Sequence, residues 1–170
     1  MASDTNGLFI QMTGLSGAGK TTLAKAVEKR LRDDGFAVEI IDGDEYRAGL
    51  CSDLGFSKED RNTNVRRLGF VGKVLARNGV VAIMSAINPY EEVRQEIGGS
   101  LVYIKSSIEA VIERDVKGLY AKALSGEIPN FTGISDPFEE PGSPGLVIET
   151  DKEDLKESLE RLYNHIIKNT

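Results

Sequence analysis

Five apolar runs of strand length recur along the chain, and segments with helical periodicity lie between them. The run Val80–Ser85 lacks polar alternation, which is typical of a parallel strand covered by helices on both faces. The pattern therefore predicts an α/β fold in which a five-stranded parallel sheet carries helices on both faces. The predicted strands are Leu8–Thr13, Ala37–Ile41, Val80–Ser85, Leu101–Lys105 and Leu146–Thr150.

Two of the intervening helical segments carry additional signals. Ser57 followed by Asp60 indicates a capping box at the start of the second helix. On the last helix, four apolar residues at helical spacing predict one buried stripe: Leu155, Leu159, Leu162 and Ile166. The predicted helices are Lys20–Asp33, Lys58–Asn78, Glu91–Ile97, Ile108–Asp115, Gly118–Ser125 and Lys152–Lys168.

A complete GxxxxGK[ST] motif follows the first strand, where a strand, a loop and a helix succeed one another. Its glycines let backbone N–H groups surround phosphate oxygens, and the helix N-terminus adds positive potential there. We expect Lys20 to reach the β- and γ-phosphates and the Thr21 hydroxyl to bind Mg²⁺. The motif predicts a P-loop NTPase fold and a nucleoside triphosphate site formed by Gly14, Ser16, Gly17, Ala18, Gly19, Lys20, Thr21 and Thr22.

Composition and charge narrow the class of protein. The 170 residues are enough for one domain over residues 1–170, and the single Cys51 cannot form an internal disulfide. The net charge of −6 argues against general nucleic-acid binding. The sequence shows no signal peptide and no apolar run near the roughly 20 residues of a membrane span, so we expect a cytoplasmic protein without membrane contact.

Polar residues follow the predicted second strand. Because ligands of open parallel sheets bind beyond the carboxyl ends of the strands, Asp42, Asp44 and Arg47 are candidate site residues. One carboxylate can help to hold Mg²⁺, and the other can accept a proton from an attacking hydroxyl. A turn capped by Asp42 is the structural alternative. Since no acid follows Val80–Ser85, the Mg²⁺ role falls on Thr21, Asp42 and Asp44.

Two cationic segments are candidates for substrate and lid elements. Arg61 and Asn64 share a helical face and suit an anionic substrate, although a solvated basic face is the alternative. Arg114 and Lys117 lie at the end of a helix that follows a strand, and either can stabilise charge on a transferring phosphoryl group. A cation at a helix C-terminus is the alternative for Arg114.

Nearly the whole chain resembles the adenylylsulfate (APS) kinase family. Several of the matching segments are not general features of P-loop proteins, which makes the resemblance specific. The matching segments are Gly14–Thr22, Asp42–Asp44, Asp53–Arg61, Asn64–Arg67, Arg114–Tyr120 and Gly126–Ile134.

The resemblance implies a kinase that moves the γ-phosphoryl of ATP to the 3′-hydroxyl of adenosine 5′-phosphosulfate (APS), giving 3′-phosphoadenosine 5′-phosphosulfate (PAPS) in sulfate assimilation. It implies a single P-loop kinase domain with a short lid over about residues 114–134. It also implies Mg²⁺ as the cofactor, a possible homodimer and a possible association with ATP sulfurylase. The implied catalytic residues are Lys20, Asp44, Arg61 and Lys117.

The resemblance also assigns binding roles. Asp44 is the implied base for the 3′-hydroxyl, and Arg61 with Asn64 would hold the phosphosulfate. Phe56 and Phe131 would enclose the adenine of APS, although both could be plain core residues. The remaining implied contacts are Arg47, Ile87, Asn88, Lys117 and Asn130 for APS and Arg114 for ATP.

The chain departs from the family pattern at several positions. Asn88 replaces a serine found in many members and cannot carry a phosphoryl group, so we expect direct in-line transfer. Glu45 adds a negative charge that could weaken APS binding unless it points away. Tyr46 and Ala48 also differ, and the segment from Tyr90 to Leu101 is short. These departures leave open another small-metabolite kinase, acting on a sugar acid or a nucleotide, or a nucleotide-binding module without activity.

Overall fold

The computed structural model describes residues 6–170, in which five strands alternate with seven helices. The first five residues of the predicted domain lie outside the described residues. The strands are β1 (Leu8–Thr13), β2 (Val38–Asp42), β3 (Val81–Ser85), β4 (Ser100–Lys105) and β5 (Leu146–Glu149). The helices are α1 (Lys20–Asp33), α2 (Gly43–Arg47), α3 (Lys58–Ala76), α4 (Glu91–Ile97), α5 (Ile108–Arg114), α6 (Leu119–Leu124) and α7 (Leu155–Asn169).

All strand pairs in the sheet are parallel, and the order is β2-β3-β1-β4-β5. The predicted five-stranded parallel sheet is therefore confirmed. The short helix α2 was not predicted, because five residues with no apolar periodicity follow β2 directly. In this order β1 is central, so the loop after it lies between the ends of its two neighbours.

The two faces of the sheet bury separate apolar clusters. Ile10 and Met12 of β1 join the cluster covered by α1 and α7, whereas Phe9 joins the one covered by α3 and α4. This alternation follows from the two-residue period of a strand. Gly72 of α3 lets the helix approach β1, since a Cβ there would lie 2.4 Å from the Phe9 ring.

Details at two helix starts differ from expectation. The Ser57 hydroxyl accepts a hydrogen bond from the Asp60 N–H at 3.1 Å, as predicted, but the Asp60 carboxylate accepts from Gly55 N–H at 2.9 Å. The capping box is thus only half formed.

On α7, Leu162 and Ile166 are buried and Leu159 packs against the core, but Leu155 is 51% exposed. The buried face of α7 therefore begins after Leu155, at Ser158.

No helix within residues 6–170 combines the length and apolar character needed to cross a membrane.

Candidate active site

A cavity of about 310 Å³ lies at the carboxyl ends of β1, β2 and β3. The phosphate loop, α2, the start of α3, the β3–α4 loop and the α5–α6 link all contribute to its lining. Fifteen of the residues proposed from the sequence line it: Ser16, Gly17, Gly19, Lys20, Thr21, Thr22, Asp42, Asp44, Arg47, Phe56, Arg61, Asn64, Ile87, Asn88 and Lys117.

Five proposed residues are not part of the lining. Ala18 is fully buried in the core, and Gly14 packs so closely on β4 that a Cβ would lie 2.3 Å from the Ile104 carbonyl oxygen. Arg114 donates to the carbonyls of Gly17 at 3.2 Å and Thr150 at 3.1 Å. It therefore lies across the outside of the phosphate loop.

The other two belong to the loop after α6. The Phe131 ring packs edge-on against the buried Tyr120, with 5.0 Å between centroids, and contacts the core. The Asn130 side chain is exposed, while its backbone carbonyl accepts a hydrogen bond from the Arg61 guanidinium. Of the two proposed adenine-binding rings, only Phe56 lines the cavity.

Two glycines of the phosphate loop adopt left-handed backbone conformations, with φ of 79° at Gly17 and 107° at Gly19. Residues with a Cβ rarely adopt such φ values, which explains the glycines in the motif. The Lys20 ammonium donates to the carbonyls of Gly14 at 2.7 Å and Leu15 at 2.8 Å. Burial, together with the positive charge of Lys117, lowers the pKa of Lys20 to about 7. The nearby carboxylates of Asp44 and Asp42 act in the other direction and raise it, but by less.

Asp42 connects α2 to the phosphate loop. Its Oδ1 accepts from the N–H groups of Asp44 at 2.9 Å and Glu45 at 3.2 Å, so Asp42 caps α2. This contact agrees with the alternative stated above, a turn capped by Asp42. Its Oδ2 accepts from the Thr21 hydroxyl at 3.5 Å and faces the loop. Asp42 therefore combines a structural contact with an oxygen directed at the site.

The donor set around Thr21 fits Mg²⁺ rather than a metal held by protein ligands alone. Within residues 6–170 no three His, Cys, Asp or Glu residues form a metal-binding group. Mg²⁺ usually takes one or two carboxylates and completes its octahedron with water and phosphate oxygens. The Thr21 hydroxyl and Asp42 Oδ2, with Asp44 also at the cavity, supply oxygen donors of this kind.

Asp44 and Lys117 meet at the mouth of the cavity. The Lys117 ammonium donates to Asp44 Oδ2 at 2.6 Å, which joins α2 to the α5–α6 link. Asp115 fixes that link, because its carboxylate accepts from the N–H groups of Tyr120 at 2.9 Å and Ala121 at 3.0 Å. The Tyr120 hydroxyl in turn donates to the Ser16 carbonyl at 2.6 Å. The proposed lid is thus connected to both α2 and the phosphate loop.

Two arginines that line the cavity lie close to the ring of Phe56. Arg47 donates to the Gly55 carbonyl at 2.6 Å, and its guanidinium carbon lies 4.4 Å from the Phe56 ring centroid. The buried Arg61 donates through Nε to the Phe56 carbonyl at 3.0 Å. Phe56 is 57% exposed and lines the cavity, so an aromatic side chain beside two cations is accessible to a ligand.

Three buried polar atoms of lining residues have no hydrogen-bond partner among residues 6–170: Asn64 Oδ1, Ser85 Oγ and Asn88 Oδ1. Buried polar atoms without partners are costly, so their position at a cavity indicates groups available to a ligand or water. Ser85 was missed by sequence reasoning, which searched for an acid after β3. Its place as the last residue of β3 was the available signal.

Comparison with known proteins identifies the family. The family model described as adenylylsulphate kinase matches residues 6–149. A probable adenylyl-sulfate kinase of Synechocystis sp. is 51% identical over 166 residues, covering 95% of this chain and 94% of the relative. The chain belongs to the adenylylsulphate kinase family.

Other relatives agree with the family assignment. An adenylyl-sulfate kinase of Chloroflexus aurantiacus is 51% identical over 162 residues, covering 92% of this chain and 87% of the relative. The APS kinase CysC of Mycobacterium tuberculosis, solved in complex with AMPPNP and APS, has a TM-score of 0.89 at 37% identity. The alignment covers 95% of this chain and 98% of that one. The expected P-loop fold and family resemblance are confirmed.

Glu45, one departure from the pattern of the adenylylsulphate kinase family, lies outside the lining of the main cavity. It borders an adjoining depression, together with Lys25 and Glu28. The depression shares Thr21, Asp42, Asp44 and Lys117 with the cavity, so the charge of Glu45 lies beside the cavity but outside its lining. Asn88, another departure, has a left-handed φ of 51° and is buried.

Proposed function

We propose that this chain transfers the γ-phosphoryl group of ATP to the 3′-hydroxyl of APS, giving ADP and PAPS. The observation that carries the proposal is one cavity that joins a complete phosphate loop to Asp44 and to the Arg47–Phe56–Arg61 group. Membership of the adenylylsulphate kinase family supports the same reaction and acceptor.

In the proposed reaction, the 3′-oxygen of APS attacks the γ-phosphorus and the bond to the β–γ bridging oxygen breaks. Asp44 accepts the hydroxyl proton, after its Oδ2 exchanges the Lys117 ammonium for the acceptor hydroxyl. Lys20 leaves the Gly14 and Leu15 carbonyls to contact the phosphates. The chain thus acts by positioning and electrostatics.

Thr21 and Asp42 would hold Mg²⁺ in this proposal, with Asp44 beside them. The ion supplies charge neutralisation at the β- and γ-phosphate oxygens when it is bound. The support is the fit between Mg²⁺ and the oxygen donors at the end of β2.

Direct transfer without a phosphoenzyme is proposed because Asn88 has an amide where many family members have a hydroxyl. The amide nitrogen donates to Gln11 Oε1 at 2.9 Å, inside the core. The expected dimer and the sulfurylase partner stay predictions from the family, and the cytoplasmic location stays a prediction from the sequence. Size-exclusion chromatography with light scattering would test the dimer.

The test is ADP release by the purified chain with Mg²⁺ and ATP, with and without APS, beside a panel of sugar acids and nucleotides. We expect rapid release that requires APS, with PAPS formed in equal amount. The Lys20→Met variant is the control for contaminating kinases. Turnover on a panel compound but not on APS would contradict the proposal, as would ATP binding without turnover on any acceptor.

A further inference from the structure

Gln11 is a polar residue at the centre of the sheet that the proposed reaction does not use. It is 1% exposed and pairs with Met84 of β3 and Leu101 of β4 in the register of β1. Its amide nitrogen donates to the carbonyls of Arg94 and Gly98, both at 2.8 Å, at the end of α4. Its amide oxygen accepts from Asn88, so both ends of the side chain are engaged.

Arg94 approaches the same segment from α4. Its side chain is fully buried, and its Nε donates to the Asn88 carbonyl at 2.8 Å. The remaining guanidinium nitrogens donate to the Glu91 carboxylate at 2.9 Å and to the Glu139 carbonyl at 2.5 Å. Because this buried guanidinium donates to two backbone carbonyls as well as a carboxylate, it connects α4 to the segments that contain Asn88 and Glu139.

The end of β1 supplies the third attachment. The Thr13 hydroxyl lies 2.9 Å from the Ile87 carbonyl oxygen and 2.8 Å from that of Asn88. The Gly14 N–H donates to the Ile87 carbonyl at 3.1 Å. The segment Ile87–Pro89, which lines the cavity, is therefore joined directly to the start of the phosphate loop.

We propose that Gln11 and Arg94 are positioning residues for the acceptor, acting through Asn88. They hold Asn88 in its left-handed conformation, with φ of 51°, so that Ile87–Pro89 forms one wall of the acceptor subsite. A non-glycine residue with positive φ persists when its surroundings over-determine it, and here three residues from β1 and α4 do so. The inference rests on the proposed function.

A purely structural role would look different. A network that only filled the core would not reach the cavity, whereas this one, besides its contacts to Gly98 and Glu139, also reaches the carbonyls of two cavity-lining residues, Ile87 and Asn88. A misplacement of about 1 Å in a positioning element can cost about a hundredfold in rate. The network should therefore affect the acceptor more than the nucleotide.

The first test compares Gln11→Met, which keeps the side-chain volume but removes three hydrogen bonds, with Leu162→Ala. Leu162 is fully buried in the cluster on the other face of the sheet, so its truncation lowers stability without touching the network. For Gln11→Met we expect the KM for APS to rise about tenfold and the KM for ATP to change less than about twofold. Leu162→Ala should lower Tm and leave both constants unchanged.

The second test is a double-mutant cycle with Asn88→Gly, which removes the amide but tolerates positive φ. If Gln11 acts through Asn88, Gln11→Met should change the KM for APS far less in the Asn88→Gly background. Additive effects, or equal changes in both KM values, would overturn the proposal. The KM for APS of Arg94→Lys, which retains the charge, should lie between that of the unchanged chain and that of Arg94→Met.

Amide hydrogen exchange separates failure of this inference from failure of the proposed function. Gln11→Met should speed exchange at Ile87 and Asn88 relative to Leu162→Ala. If the unchanged chain turns over no APS, the proposed function fails, and this exchange difference still decides the positioning role. Equal exchange in the two variants would overturn it.

Discussion

Asp44 and Lys117 form an ion pair at 2.6 Å although their side chains are 80% and 58% exposed. Exposed ion pairs contribute about 0–1 kcal/mol to stability, so the contact is easily exchanged. An exchangeable partner suits the proposed role of Asp44 as a base that accepts a hydroxyl proton once the acceptor arrives. The pair is therefore better explained by the reaction than by folding.

Asp44→Asn should lower kcat by about 10²–10⁴-fold, since the amide cannot accept the proton. The Kd for ATP should stay close to that of the unchanged chain, as measured by calorimetry. Glu45→Gln is the matched control, because Glu45 lies on the same short helix but outside the cavity lining. An Asp44→Asn variant with unchanged kcat would remove Asp44 from the mechanism.

Lys20 should make ATP binding dependent on pH. Burial lowers its pKa to about 7, and bound phosphates favour the charged form, so ATP binding above that pH takes up a proton. Affinity should therefore fall as pH rises, by at most about tenfold per pH unit between about pH 7 and pH 9. Calorimetry in buffers of different ionisation enthalpy measures the proton uptake.

Lys20→Arg is the control for this pH effect, because arginine stays charged throughout the range. The proton uptake that remains in this variant belongs to the nucleotide and to other groups. Equal uptake by both proteins would show that Lys20 is already charged before ATP binds.

At the scale of elements, hydrophobic periodicity was enough to predict the sheet. All five strands were predicted, with bounds that differ by no more than one residue, because buried parallel strands are continuous apolar runs. The helix α2 was missed because Asp42 ends β2 and caps the helix at once, which leaves no loop between the two elements. Local patterns could suggest this cap only as an alternative.

Side-chain placement was less predictable, since it depends on contacts between distant segments. Gln11 stood within an apolar run, and only the approach of α4 from more than 80 positions away shows what its amide binds. Phe131 lay in a family segment, yet its ring turns toward Tyr120. The ends of strands indicated where the site lies, but the orientation of each side chain required the packed structure.

The approach of α3 to β1 depends on Gly72. A Cβ at this position would lie 2.4 Å from the Phe9 ring, which is itself buried, so neither group has free space. Gly72→Ala should destabilise the fold by about 1–3 kcal/mol in urea unfolding. Because α3 also carries Arg61 and Asn64, the KM for APS should rise as well.

Gly49→Ala is the control for Gly72→Ala, because its Cβ would meet no atom within 4 Å. Its stability should change by less than about 0.5 kcal/mol. Adding Phe9→Leu to Gly72→Ala should recover part of the loss, since the two substitutions act on one contact. An additive double variant would show that the ring does not cause the effect.

At the scale of the whole molecule, the strand order explains how one cavity gathers groups from distant positions in the chain. β1 lies between β3 and β4, so the phosphate loop is next to the end of β3, and β2 beyond it delivers Asp44. The α5–α6 link returns Lys117 to the same place. The proposed nucleotide-binding and acceptor-binding residues thus share one cavity but come from separate segments, and each set should respond to its own ligand.

This separation predicts distinct thermal shifts for the two ligands. Binding at about 100 times Kd adds about 2.7 kcal/mol, which raises the Tm of a chain of this size by roughly 5–11 °C. AMPPNP with Mg²⁺ and APS should each produce such a shift when present alone. Lys20→Met should lose the response to AMPPNP and keep that to APS, whereas Asn64→Ala should weaken only the response to APS.

The Asn64→Ala variant is informative because Asn64 Oδ1 is buried at the cavity without a partner among the described residues, and the proposal makes the bound acceptor its partner. Loss of both responses in Lys20→Met would mean that the acceptor binds only after the nucleotide, and would contradict independent subsites. A shift with a sugar acid but none with APS would instead assign the cavity to a different acceptor.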